Sequence, residues 1–135
     1  MGKLILDIRT TSPDDKSATV KAVFDSGAFY SILREDKVPK GAAILKRKVS
    51  MSFGAAAKGS KFSATGELSL VMSIRQATRP EGQINDIVLI SPELSQEMLV
   101  GAGTMQKWDI CILNRDGKSA LSVGRDMRDP QITEV

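Results

Sequence analysis

An all-β domain, a barrel of short strands, is the fold class this sequence predicts, on three observations. Apolar residues recur at every second position through much of the chain, and the runs are separated by clusters of Gly, Pro, Asn, Asp and Ser. Only one stretch, Ala102 to Trp108, reads as a short helical segment.

The first strand runs from Lys3 to Arg9, apolar at Leu4, Leu6 and Ile8. The turn-rich Thr10 to Lys16 leads to a second strand from Ser17 to Phe24, so the two form a hairpin. Next come Asp25-Ser26-Gly27-Ala28, the apolar stretch Phe29-Tyr30-Ser31-Ile32-Leu33 and a polar turn through Pro39 and Gly41. A strand that ends in a short polar turn places Asp25 at a rim.

From Lys46 to Met72 the period is two: Val49, Met51 and Phe53 alternate with polar residues, and Phe62, Ala64, Leu68, Leu70 and Met72 do much the same. Between the two runs lie Gly54, Ala55, Ala56, Ala57, Lys58, Gly59, Ser60 and Lys61. Small residues bounded by glycines describe a long hairpin with a mobile tip, able to close over a ligand. Strands follow at Asn85 to Ser91 and, past Pro92, at Glu97 to Val100. After the helical segment, strands at Asp109 to Leu113 and Ala120 to Val123 are joined by Asn114-Arg115-Asp116-Gly117.

The expected core comprises Leu6, Val20, Val23, Ile32, Leu68, Leu70, Ile87, Leu89, Leu99, Val100, Ile110 and Ile112. One domain over 1–124 is expected, with a charged tail over 125–135, containing Pro130, that frays or pairs with a partner chain.

The chain's 135 residues match one ordinary domain, and its 41% apolar and 26% charged content is close to average soluble usage. No apolar run approaches the ~18 residues of a membrane span, and Asp7 and Arg9 interrupt the N-terminal apolar residues early, so a cytoplasmic protein away from membranes is expected. The lone cysteine, Cys111, stands between Ile110 and Ile112, excludes an internal disulfide and reads as a small buried hydrophobe. A net charge of +3 permits nucleic-acid binding, but the basic residues are scattered, Lys46-Arg47-Lys48 is their longest cluster, and aromatic residues amount to 4%. Nucleic acid is therefore not the expected partner.

The chain has no histidine, so it cannot itself build a Ser-His-Asp or Cys-His nucleophile system. Zinc and copper sites, which draw on Cys and His, are nearly excluded as well, and no metal or cofactor is expected. Acid–base chemistry falls to Asp, Glu, Lys, Tyr or a terminus. Two glycine-rich stretches invite other readings. Gly54 to Lys61 is not a phosphate loop, because Gly59 is followed by Ser60-Lys61 where Lys must come first. Gly101-Ala102-Gly103 has Gln106 at the third glycine position of a dinucleotide fingerprint and no βαβ unit around it.

The informative constellation is Val23-Phe24-Asp25-Ser26-Gly27-Ala28 together with Met98-Leu99-Val100-Gly101. An Asp-Ser/Thr-Gly triplet alone is weak, arising by accident in roughly one chain in twenty of this length. Here it closes an apolar strand, precedes a glycine-tipped hairpin and is answered by an apolar-apolar-Gly element leading into a short helix.

That order resembles the retropepsin-like aspartic proteases over roughly Lys3 to Val123. The resemblance implies an acid protease barrel with a flap hairpin and one short helix, assembled as a homodimer that acts on peptides or proteins. It makes Asp25 catalytic, has Ser26 bond across the dimer floor and has Gly27 leave room for substrate backbone. Gly54 to Lys61 becomes the flap, giving Gly54, Ala55, Ala56, Ala57, Lys58 and Gly59, with Ala28 and Phe29, as substrate-binding positions, and Leu99-Val100-Gly101 lies beside the catalytic strand. The sequence departs from the family at Phe29, where an acidic residue is common, and at Ala102, where a polar one is.

The chemistry is consistent with that resemblance. Two carboxylates held close cannot both ionise cheaply, so one keeps a proton and acts as acid while the other activates water. With a single Asp-Ser-Gly in the chain, the second aspartate is expected from an identical chain around a two-fold axis. Asp116-Gly117 is no substitute, since it reads as a hairpin turn. Three functions stay open: an active aspartic endopeptidase, the same barrel as a silent peptide-binding or dimerisation module, and a small basic barrel that binds nucleic acid. Against all three stands the plain use of Asp25 as an Asx turn capping a loop.

Overall fold

The computed structural model of the chain describes residues 3–54, 61–76 and 81–128. Strand β1 (Lys3–Thr11) pairs antiparallel with β2 (Ser17–Asp25) from Lys3↔Asp25 to Thr11↔Ser17. The turn between them is held by Ser12, whose hydroxyl accepts the Lys16 N–H at 3.1 Å and donates to the Asp14 carboxylate. Short β3 (Ile32–Arg34) leads through a 3-10 turn, Glu35–Lys37, to the hairpin β4 (Leu45–Gly54) and β5 (Lys61–Ile74). Then come β6 (Gly82–Ser91), β7 (Met98–Val100), helix α1 (Ala102–Lys107) and the hairpin β8 (Ile110–Arg115) and β9 (Lys118–Val123).

The main sheet runs β1-β2-β7-β3-β6-β5-β4, and an added β1–β5 pairing closes all but β4 into a barrel. Closure leaves few free strand edges. Inside, Phe24, Val20, Leu33, Leu70, Met72, Ile84, Val88, Ile90, Met98 and Val100 are buried together. The β8–β9 hairpin packs Ile110, Leu121 and Val123 onto the same core. Its tight loop is Asp116-Gly117, both with positive φ (52° and 72°), the backbone that a two-residue hairpin requires.

The strands are those the alternation predicts, with shifted ends, and the apolar stretch at Phe29 shortens to a strand starting at Ile32. Helix α1 stops at Lys107, one residue early. The core needs correction. Ile87 is 60% exposed, and Leu6, Val23 and Ile112 are only partly buried. On β6, Ile84, Val88 and Ile90 face inward, which turns Ile87 outward by the two-residue period. Cys111 is exposed rather than buried, because Ile110 takes the inward position on β8. Arg125 to Arg128, assigned to the tail, are tied to the barrel: Arg125 N–H donates to the Trp108 carbonyl at 3.0 Å and Met127 N–H to the Gln83 carbonyl at 2.7 Å.

Candidate active site

Asp25 is the last residue of β2, and its position follows from the pleat. Phe24 points into the barrel, so Val23 and Asp25 point to the other face. β7 runs parallel to β2, with Val23↔Leu99 and Phe24↔Val100, so the apolar-apolar-Gly element does lie beside the strand that carries Asp25.

Beyond Asp25 the chain turns back at once. The Ala28 N–H donates to the Asp25 carbonyl at 3.2 Å, and the Gly27 N–H donates to Asp25 Oδ1 at 2.9 Å. The Asx-turn hydrogen bond is therefore present, but it occupies one carboxyl oxygen only. Oδ2 has the Lys3 ammonium at 3.6 Å. The Asp25 side chain is 13% exposed. Ser26 and Gly27 are exposed beside it and Ala28 is half-buried.

The loop from Ala28 to Ser31 is clamped from behind by α1. Ala102 N–H donates to the Ala28 carbonyl at 2.6 Å and Gly103 N–H to the Phe29 carbonyl at 3.0 Å. Gly101 is required at this crossing, because a Cβ there would stand 2.4 Å from the Phe29 carbonyl oxygen and 2.5 Å from that of Tyr30.

A buried hydroxyl chain completes the clamp. Gly101 N–H donates to Ser31 Oγ at 3.1 Å, Ser31 and Thr104 hydroxyls meet at 2.6 Å, and Thr104 donates to Asp86 Oδ2 at 2.7 Å. Each hydroxyl carries one proton, so the direction is fixed: Thr104 gives its proton to Asp86, and Ser31 gives its own to Thr104. Sequence reading missed these residues; no local pattern joins positions 18 and 73 apart. Asp86 also accepts the Ile87 N–H at 2.8 Å.

The face that carries Asp25 has its own apolar floor. Strand register lines up Ile5, Val23, Leu99, Ile32 and Leu89 across β1, β2, β7, β3 and β6. Ile32, Leu89 and Leu99 are buried with Ala64 and Leu94, and Val23 and Ala28 pack against them. Leu94 comes from the Pro92 loop, which Glu93 ties to β5: the Ser63 N–H and hydroxyl both donate to Glu93 Oε1, at 2.9 and 2.8 Å. These bonds, the hydroxyl first, hold the Glu93 carboxyl below its ordinary range. Asp25 thus stands at the end of an apolar band, with exposed Phe29 and Tyr30 in edge-to-face contact, ring centroids 5.2 Å apart, on the loop beyond.

Of the remaining expected site residues, Gly54 pairs with Lys61 at the loop end of the β4–β5 ladder. Ala55, Ala56, Ala57, Lys58 and Gly59 lie outside the described residues. Among the described residues no three Cys, Asp or Glu side chains converge as metal ligands would. No helix among them is long and apolar enough to cross a membrane.

Among solved structures, the chain is similar to the retroviral protease-like domain of Ddi1 from Leishmania major. The two are 16% identical with a TM-score of 0.53, and the match covers 91% of this chain and 98% of that one. At that identity the likeness establishes the fold, a retropepsin-like β-barrel with one short helix. No family model and no curated protein matches the sequence.

Proposed function

We propose that the protein is an aspartic endopeptidase in which Asp25 and the same residue of a second copy form a catalytic dyad. The observation that carries this reading is the carboxyl itself. In a barrel of retroviral protease type it ends a strand whose alternate residues are buried, one oxygen is fixed by the Gly27 N–H, and the other has only the Lys3 ammonium beside it among the contacts of the described residues.

Two such carboxyls across a two-fold axis share one proton. The ionised one takes a proton from water as the water oxygen bonds to the peptide carbonyl carbon, and the protonated one gives its proton to the carbonyl oxygen. Proton transfer to the amide nitrogen then lets the C–N bond break, releasing an amine and a carboxylic acid. Ser26 is exposed in the single chain, and in the proposed pair it bonds across the dimer floor. Val23 and Ala28, partly buried where they pack on that apolar cluster, suit substrates with apolar side chains near the cleaved bond.

Digestion of a peptide library from pH 3 to 8, with and without a transition-state-mimicking aspartic protease inhibitor, tests the proposal. Inhibitor-sensitive cleavage peaking in acid is expected. Binding of peptides without cleavage at any pH would instead support the silent module, the reading to which the departures at Phe29 and Ala102 point.

A further inference from the structure

We infer that Lys3 is a charge-setting residue for Asp25, the counter-ion that lets two Asp25 carboxyls meet in a dimer. This rests on the paired site proposed above. The contact follows from strand register: the unbroken β1–β2 ladder places Lys3 directly opposite Asp25, on the same face. Its ammonium lies 3.6 Å from Oδ2, the oxygen that the Gly27 N–H leaves open.

Among the described residues, the neighbouring elements bring no other ion pair to this carboxyl. β7 places Leu99 and Val100 beside β2, and the turn after Asp25 contributes Ser26, Gly27 and Ala28. The two partners differ in exposure. The Lys3 side chain is 58% exposed on a flexible stem and keeps its hydration, whereas Asp25 is 13% exposed and loses more water when a second copy covers it.

Bringing two carboxylates together without counter-ions is opposed by like-charge repulsion, which binding of a shared proton relieves. Two ammonium groups relieve it without the proton. Lys3 therefore keeps the dimer together as pH rises.

The test compares full-length wild type, Lys3→Met and Lys3→Arg by sedimentation at pH 4.5 and 7.5, and by peptide hydrolysis across pH at enzyme concentrations above the dissociation constant. In Lys3→Met the dissociation constant should rise about tenfold more between the two pH values than in wild type, the scale of two exposed ion pairs. Lys3→Arg should follow wild type, high salt should narrow the gap between wild type and Lys3→Met, and adding Asp25→Asn to both should abolish it.

Superimposable wild-type and Lys3→Met behaviour in a dimer whose hydrolysis needs Asp25 would overturn this inference alone. So would Lys3→Arg behaving as Lys3→Met, since the stem rather than the charge would then matter. A wild type that stays monomeric and cleaves nothing would overturn the paired-site reading and this inference with it.

Discussion

Phe24 and Asp25 are adjacent in the chain and lie on opposite sides of the barrel wall. Phe24 is fully buried among Val20, Leu33, Met98 and Val100, where water is excluded and only shape and apolar surface count. Asp25 looks out on the other face, held by one backbone N–H and one ammonium. The strand's two-residue period thus lets one element anchor the core and deliver a carboxyl. What happens at one position should be largely separable from what happens at the other.

The largest expected effect breaks the inner side. Phe24→Ala leaves a cavity and should cost about 3–5 kcal/mol in denaturant unfolding. Ile87→Ala, at a 60% exposed position on the outer face of β6, should stay within about 0.5 kcal/mol. A core-sized loss at Ile87 would show that the two faces are wrongly assigned.

The next effect lies behind the site. Thr104→Val keeps the shape but removes the hydroxyl that Ser31 donates to and that donates to Asp86, leaving buried groups unsatisfied at about 1–3 kcal/mol. Amide exchange at Gly27, Ala102 and Gly103 should quicken with it, and Thr104→Ser should restore protection. Equal protection in the valine and serine variants would remove the hydroxyl chain from the account.

How far the sequence reached follows the same division. Inward residues such as Val20, Leu70 and Val100 obey a period that any strand must show, so they and the strands could be read directly. The place of Asp25 at the end of β2 was legible because its triplet closes an apolar strand, and β7 was marked by its own apolar-apolar-Gly run. Ile87 and Cys111 were misread because an apolar residue looks the same whichever way its strand turns it. Val23 and Leu99 were placed in one core, yet they belong to the separate apolar floor outside the barrel. Lys3, and the chain from Ser31 through Thr104 to Asp86, depend on pairing register and on contacts between distant segments, which no window of sequence contains.

The smallest expected effect concerns the rim of the floor. The Glu93 carboxyl is held below its ordinary value by Ser63, so its contribution is fully present above the unfolded value, 4.5, and is lost as pH falls through the lower folded one. Ser63 amide exchange should therefore quicken below about pH 4.5 in wild type, beyond the intrinsic pH trend. In Glu93→Gln, whose neutral amide oxygen still accepts but does not titrate, that acid-dependent step should be absent, and a pH-independent difference between the two proteins would count against the clasp.

Asp25→Asn tests the central claim most directly, read as the rate of cleavage of the best peptide alongside unfolding and sedimentation of the same sample. The amide keeps the size of the side chain but cannot take a proton from water. Hydrolysis should vanish while the barrel stays folded and the dimer persists. Cleavage by the folded Asp25→Asn protein at the wild-type rate would contradict the assignment of Asp25 as the catalytic carboxyl.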